Sequence, residues 1–269
     1  MKSALSTFQI IAYGIGSTPS PLLSNALSFY LNSYLLETIS ISAKLVGLIT
    51  ILSRVWDALT DPIIGYLVLK TKVSFGGARL WILISTPILS FFYVMFFFAK
   101  AESFIYYLVM LLLYTTFLTT YYVPYTSLII RMTDDKKTLD RLSLSRMFNE
   151  TISTLVGIVI FTNFVNSGRR RDMYLYGAIT LGIISLFAGL ICGIFTVENE
   201  SNVQPERKIR KSYIRHVRDA VTFKPYYLLM LAHLFCSMGV QLVQTNFSLY
   251  ITYSVKMHEH EIYALSAVM

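Results

Sequence analysis

Five charged side chains sit where long apolar stretches would be expected to carry none. Arg54, Asp57 and Asp61 lie on one such stretch, and Arg146 and Glu150 lie on another. A charge at the centre of a membrane-spanning helix costs about 2.5–3.5 kcal/mol even on lenient insertion scales, so such residues face the bundle interior and mark ion or substrate paths. Spacings of three and four stack Arg54, Asp57 and Asp61 on one helix face, flanked by Ser53 and Thr60. Two carboxylates one turn apart make a hard, oxygen-rich niche for a small cation, with Asp57, Asp61 and Thr60 as its ligands. Without a cation, repulsion and desolvation favour a proton on one of them. The competing reading is a structural ion pair with Arg54, which neutralises only one of the two. Pro62 weakens the local hydrogen-bond ladder and offers a freed carbonyl.

Arg146 and Glu150 are also four apart, with Asn149 beside them and Ser153 and Gly157 continuing the face. A buried guanidinium presents a fixed fork to a carboxylate or phosphate. The alternative is an internal pair between the two. Thr115, Thr116, Thr119, Thr120, Tyr121, Tyr122, Tyr125 and Thr126 form a polar-aromatic stretch interrupted by Pro124.

These residues need apolar elements to hold them. The chain has 269 residues, 55% hydrophobic and 14% charged, against about 25% charged in a soluble domain. Residues 80–99, 103–130, 173–197 and 225–255 contain no Asp, Glu, Lys or Arg. About 20 apolar residues span a bilayer as a helix, and in lipid the backbone must satisfy itself. The expected fold class is therefore an all-α membrane protein. Seven spans are predicted: 8–36, 45–69, 80–99, 103–130, 143–165, 173–197 and 225–255, with an eighth opening at Ile262. The N-terminal stretch lacks a signal-peptide core and reads as the first span. Cys192 and Cys236 fall in apolar runs and are expected to be small buried thiols, with no disulfide framework or metal site.

Fifteen Lys and Arg residues fall in alternate loops on one side, and six on the other: Lys44, Lys100, Arg169, Arg170, Arg171 and Lys256. The positive-inside rule makes the N-terminus and the 198–224 connection cytoplasmic. Within that connection Ile209, Tyr213, Val217 and Val221 recur every four residues among basic ones, the pattern of an amphipathic interfacial helix. The net charge of +8 is largely explained there and gives no reason to invoke nucleic acid. Six spans, a basic connection and further spans is the layout of a major facilitator. Its domains here are 1–197 (a six-helix half), 198–224 (linker) and 225–269 (helix 7 and the start of helix 8), a truncated form of the fold.

The segment Arg54-Val-Trp-Asp-Ala-Leu-Thr-Asp-Pro-Ile-Ile-Gly65 resembles the second-helix signature of the glycoside–pentoside–hexuronide:cation symporters. Tyr13-Gly-Ile-Gly-Ser-Thr-Pro19, Phe29-Tyr-Leu-Asn-Ser-Tyr-Leu-Leu36, Trp81-Ile-Leu-Ile-Ser-Thr-Pro87, Val123-Pro-Tyr-Thr-Ser-Leu128, Arg146-Met147 and Leu242-Val-Gln-Thr-Asn-Phe247 are similar to the animal lysophosphatidylcholine-symporter branch. The resemblance implies that Asp57 and Asp61 hold Na+ and that Arg146 serves a lipid phosphate or a central charge network. Arg54, Glu150, Thr119, Tyr122, Thr126 and Gln244 complete the expected substrate and charge-network set. Pro21 and Tyr122 stand where the sugar symporters carry acids, and Gln244 where the lysophospholipid carriers have a glutamate. The expectation is a monomeric, plasma-membrane, sodium-coupled lysophospholipid symporter with no enzymatic activity and no cofactor besides its coupling ion. A cation:sugar symporter of the melibiose-permease type, or a non-transporting truncated membrane protein, are the alternatives.

Overall fold

The computed structural model describes residues 5–71, 73, 75–98, 103–166, 171–198 and 222–250. All regular structure among them is helical. The order is α1 (Thr7–Ile15), α2 (Pro19–Ser33), a π-helical turn (Tyr34–Thr38), α3 (Ala43–Lys70), α4 (Gly77–Phe98), α5 (Phe104–Met132), α6 (Lys136–Asn166), α7 (Arg171–Phe195) and α8 (Lys224–Tyr250). The expected amphipathic helix and the eighth span lie outside the described residues.

Among the described residues, four helices are long and apolar enough to cross a membrane: Gly77–Phe98, Phe104–Met132, Lys136–Val165 and Arg171–Phe195. α3 has the length, but Arg54, Asp57 and Asp61 interrupt its apolar run. Large apolar side chains stay exposed along α3 (Ile51, Val55, Leu59, Ile63) and α6 (Leu144, Met147, Phe148), as in a protein surrounded by lipid or by other helices.

The first predicted span is two helices, not one. Ser6 starts α1 with a capping box: the Gln9 amide donates to Ser6 Oγ at 3.3 Å, and the Ser6 amide to Gln9 Oε1 at 3.0 Å. Pro19 has no N–H to continue the ladder and stands at the first turn of α2, where that costs nothing. Polar groups at the break find partners on other helices. Tyr125 Oη donates to Tyr13 O at 3.0 Å, and Tyr121 Oη donates to Gly16 O at 2.5 Å. Close approach demands a glycine at 16, since a Cβ there would lie 2.3 Å from Cys192 Sγ and 2.9 Å from Tyr125 Cε2. By contrast α3, α4 and α5 run unbroken through Pro62, Pro87 and Pro124. α6 begins seven residues before the predicted 143, because Asp135 holds its first turn: the Thr138 amide and hydroxyl donate to Asp135 Oδ2 at 3.1 and 2.7 Å. Those two bonds hold the Asp135 carboxyl below its ordinary pKa.

The core is aromatic. Tyr34 meets Phe97 and Tyr174 with ring centroids at 4.9 and 5.0 Å, and Phe97 meets Phe161 at 5.6 Å. α4 packs between α5 and α7. Of the two thiols, Cys192 is buried as expected, whereas Cys236 is exposed, because α8 has few neighbours among the described residues.

One end of the bundle is tied by charge. The Glu198 carboxylate accepts from the Arg79 amide at 2.8 Å and from Arg131 Nη1 at 3.3 Å. In return the Arg79 guanidinium donates to Gly193 O at 3.0 Å and Ile194 O at 2.9 Å, capping the C-terminus of α7. Gly76 turns into α4 at φ +109°, and a Cβ there would lie 2.7 Å from Glu198 Oε1. The start of α4, the end of α5 and the end of α7 thus meet at one end of the bundle, where Arg79 and Arg131 share Glu198.

Candidate functional site

The α3 carboxylates meet α5. Thr119 Oγ1 lies 3.1 Å from Asp57 Oδ1 and 3.0 Å from Asp61 Oδ1. A hydroxyl has one hydrogen, so it donates to one carboxylate at a time while lying within hydrogen-bond distance of both. Thr119 is buried, Asp57 half-buried and Asp61 exposed, which leaves the niche open on one side. One residue before Asp57, Trp56 Nε1 donates to Thr116 Oγ1 at 2.8 Å and fixes the register of α3 on α5.

Spacing alone nominated Thr60 as the hydroxyl ligand. Thr60 is buried, and its hydroxyl donates at 3.1 Å to Asp57 O in its own helix. Thr119, expected to line the fourth span, is the hydroxyl that meets both aspartates. Arg54 is exposed and makes no ion pair within 4.0 Å among the described residues, though its charge acts on Asp57. Two carboxylates with one shared donor keep a net negative charge, which suits a small hard cation. No group of three or more His, Cys, Asp or Glu side chains gathers among the described residues.

The second cluster is joined to the first through α5. Arg146 Nε donates to Glu150 Oε1 at 2.7 Å, and Nη2 donates to Tyr122 Oη at 3.2 Å. The guanidinium carbon lies 5.9 Å from the Tyr122 ring centroid and 5.8 Å from that of Tyr125. Both members of the pair keep access to solvent, with side chains 25% and 31% exposed. Thr119 and Tyr122 are three residues apart on α5, so one helix carries a contact to each cluster.

Asn149 and Ser153 serve a different purpose from their neighbours. Asn149 Nδ2 donates to Thr18 Oγ1 at 2.7 Å and Ser17 Oγ at 3.0 Å, and Ser153 Oγ donates to Thr18 Oγ1 at 3.1 Å. Gly157 lies against Leu22. That face of α6 clamps the α1–α2 break, and the adjacent face presents Arg146 and Glu150. Among the described residues Thr126 bonds only within its own helix, to Val123 O at 3.0 Å. Gln244 falls on α8, and its side chain lies outside the described residues.

The sequence profile of the MFS/sugar transport protein family matches residues 12–269, and the chain belongs to that family. Among curated proteins it is similar to the sphingosine-1-phosphate transporter MFSD2B of Xenopus tropicalis, at 25% identity over 96% of this chain and 57% of the relative. It is similar to the sodium-dependent lysophosphatidylcholine symporter 1-A of Danio rerio, at 26% identity over 96% of this chain and 55% of the relative. The sodium-dependent lysophosphatidylcholine symporter 1 of Mus musculus is 24% identical over all of this chain and 57% of its own length. The chain thus spans about half the length of the curated relatives it matches. With four apolar helices of spanning length, a family member of this kind is an integral, multi-pass membrane protein.

Proposed function

We propose that this chain supplies the cation-binding half of a sodium-coupled lysophospholipid symporter. The observation that carries the reading is the Thr119 hydroxyl set between the Asp57 and Asp61 carboxylates. Asp57, Asp61 and Thr119 hold the cation, which is carried with the substrate. Arg146, paired with Glu150 and braced by Tyr122, meets the phosphate, because its fork is both fixed and open to solvent. The acyl chain takes the apolar surface beside it, formed by Met147 and Phe148. The names of the relatives support a lipid-like substrate.

The wider arrangement follows the major facilitator plan. Residues 1–197 form one six-helix half, 198–224 the connection, and 225–269 the opening of the second half. The substrate binds between halves near the midplane, and alternating access exposes it to each side in turn. Loop charge supports a cytoplasmic N-terminus, and the membrane proposed is the plasma membrane.

Labelled lysophosphatidylcholine and a labelled disaccharide, offered to cells expressing the protein with and without sodium, test the reading. The expected result is sodium-stimulated lipid uptake, lost in Arg146→Ala, and no disaccharide uptake. Sodium-driven disaccharide accumulation with indifferent lipid uptake would overturn it in favour of a sugar symporter.

A further inference from the structure

Arg146 is flanked by two rings of α5 at nearly equal distance, its guanidinium carbon 5.9 Å from the Tyr122 centroid and 5.8 Å from that of Tyr125. The two rings differ in freedom. Tyr122 is 39% exposed and is bonded to the guanidinium through its own hydroxyl, so it has room to turn with Arg146. Tyr125 is 1% exposed and has no such room.

The Tyr125 ring is held from α1 and from its own helix. Its hydroxyl donates to Tyr13 O at 3.0 Å. That carbonyl is available because the Ser17 amide, just past the end of α1, donates at 2.9 Å to Gly14 O, three residues back. The Tyr13 ring stacks on Tyr125 with centroids 4.9 Å apart and an interplanar angle of 14°. The Tyr121 ring lies nearly parallel on the other count, at 6.1 Å and 7°, and its hydroxyl donates to Gly16 O. The α1–α2 break thus locks a group of tyrosines. Among the described residues the guanidinium approaches the rings of Tyr122 and Tyr125, and not that of Tyr121.

A cation within about 6 Å of a ring centroid is drawn to the ring's quadrupole. A long side chain already held in its bound orientation loses less freedom when a ligand arrives, which strengthens binding without any new contact. Glu150 holds Arg146 Nε at 2.7 Å, but it stands one turn away on the same helix and fixes the fork only relative to α6. Tyr125 supplies the reference to α5 and α1.

We propose that Tyr125 is a positioning residue for phosphate recognition, its buried ring holding the Arg146 guanidinium in the orientation that meets the headgroup. The inference rests on Arg146 being the phosphate-binding group. Tyr125 acts through Arg146 and does not touch the lipid.

Equilibrium binding of a radiolabelled short-chain lysophosphatidylcholine to the purified protein in amphipol, read as the saturable component, tests this. Tyr125→Phe keeps the ring and its packing. It is the reference for the same position carrying trifluorophenylalanine, whose fluorines withdraw electron density from the ring face at nearly unchanged shape. The fluorinated protein should bind about fivefold more weakly than Tyr125→Phe, the worth of one cation–π contact, and melt at the same temperature. The same fluorinated exchange at position 121, measured against Tyr121→Phe, should leave affinity unchanged. Arg146→Ala should lose more than about tenfold, and fluorination at 125 should then weaken binding no further. Equal affinity of Tyr125→Phe and its fluorinated counterpart, with Arg146→Ala weakened, overturns the inference and leaves Arg146 as the phosphate group. Equal weakening by fluorination at 121 and at 125 marks a general effect on the tyrosine group and overturns it as well. Should loss of the 125 hydroxyl prevent folding, trifluorotyrosine at 125 against wild type carries the same comparison with the hydroxyl retained. Wild type without saturable binding, or Arg146→Ala binding like wild type, removes the phosphate reading and the inference with it.

Discussion

Replacing Glu198 by alanine should be among the most damaging single changes at the charged end of the bundle. Its side chain is 4% exposed and that of Arg131 is 11% exposed, so solvent screens the pair weakly. Truncation leaves the Arg131 guanidinium nearly buried with its 3.3 Å partner gone, and the Arg79 amide at the first turn of α4 without its 2.8 Å acceptor. Breaking a buried pair from one side costs about 3–5 kcal/mol; the residual exposure of Arg131 argues for the lower figure, about 3 kcal/mol. Glu198→Gln keeps an acceptor for the amide and loses only the charge, so about 1–2 kcal/mol is expected. In an Arg131→Met background no charge is stranded, and Glu198→Ala should then cost only about 1 kcal/mol for the lost amide bond. The difference is a coupling energy of about 2 kcal/mol, measurable by a double-mutant cycle. Thermal unfolding of the four purified proteins in one detergent reads it out. Additive effects of the two substitutions would refute the reasoning, since independent sites have no stranded charge to relieve.

Two further outcomes follow from the same geometry. Asp61→Asn should abolish the sodium dependence of lysophosphatidylcholine uptake while leaving surface expression largely intact, because it removes an ion ligand but also relieves repulsion with Asp57; unchanged sodium dependence would reject the site. Gly16→Ala should destabilise the purified protein by about 1–3 kcal/mol through overpacking against Cys192 and Tyr125, whereas Gly47→Ala, with nothing within 4 Å of its new Cβ, should be neutral or stabilising in the same thermal assay.

Composition made the helices legible, because charge-free runs of twenty or more residues leave lipid-exposed backbone few alternatives. Proline was the poorer guide. Pro62 and Pro124 sit inside unbroken helices, while Pro19 marks a true break. The difference lies in partners that chain order does not reveal: phenols from Tyr121 and Tyr125 on α5, and the amide of Asn149 on α6, serve the polar groups around Gly16 and Thr18. The aspartate pair and the Arg146–Glu150 pair stood out because charges in apolar runs are costly and their spacing is helical. Thr119 was visible only as one of several threonines on its span. Periodicity orients residues within a helix, but which face of α5 meets which face of α3 is a tertiary matter. Thr60 was favoured over it because neighbours in sequence are the only neighbours that spacing can see. The separation of Asn149 from Arg146, by a modest rotation around α6, was hidden for the same reason.

The chain has two tryptophans, and both indoles are anchored across the edge of the same helix. Trp56, on α3, donates to Thr116 on α5, and Trp81, on α4, donates at 2.9 Å to Thr71, which terminates α3. Native ultraviolet emission therefore samples α3 at its middle and at one end, and no other helix pair contributes an indole. A shift of α3 against its neighbours changes the hydrogen bonding and polarity around one or both fluorophores, while motion elsewhere in the bundle stays dark. Comparison of the Trp56→Phe and Trp81→Phe spectra would separate sliding at the aspartates from fraying at the helix end, giving a label-free optical gauge of the segment that bears the carboxylates.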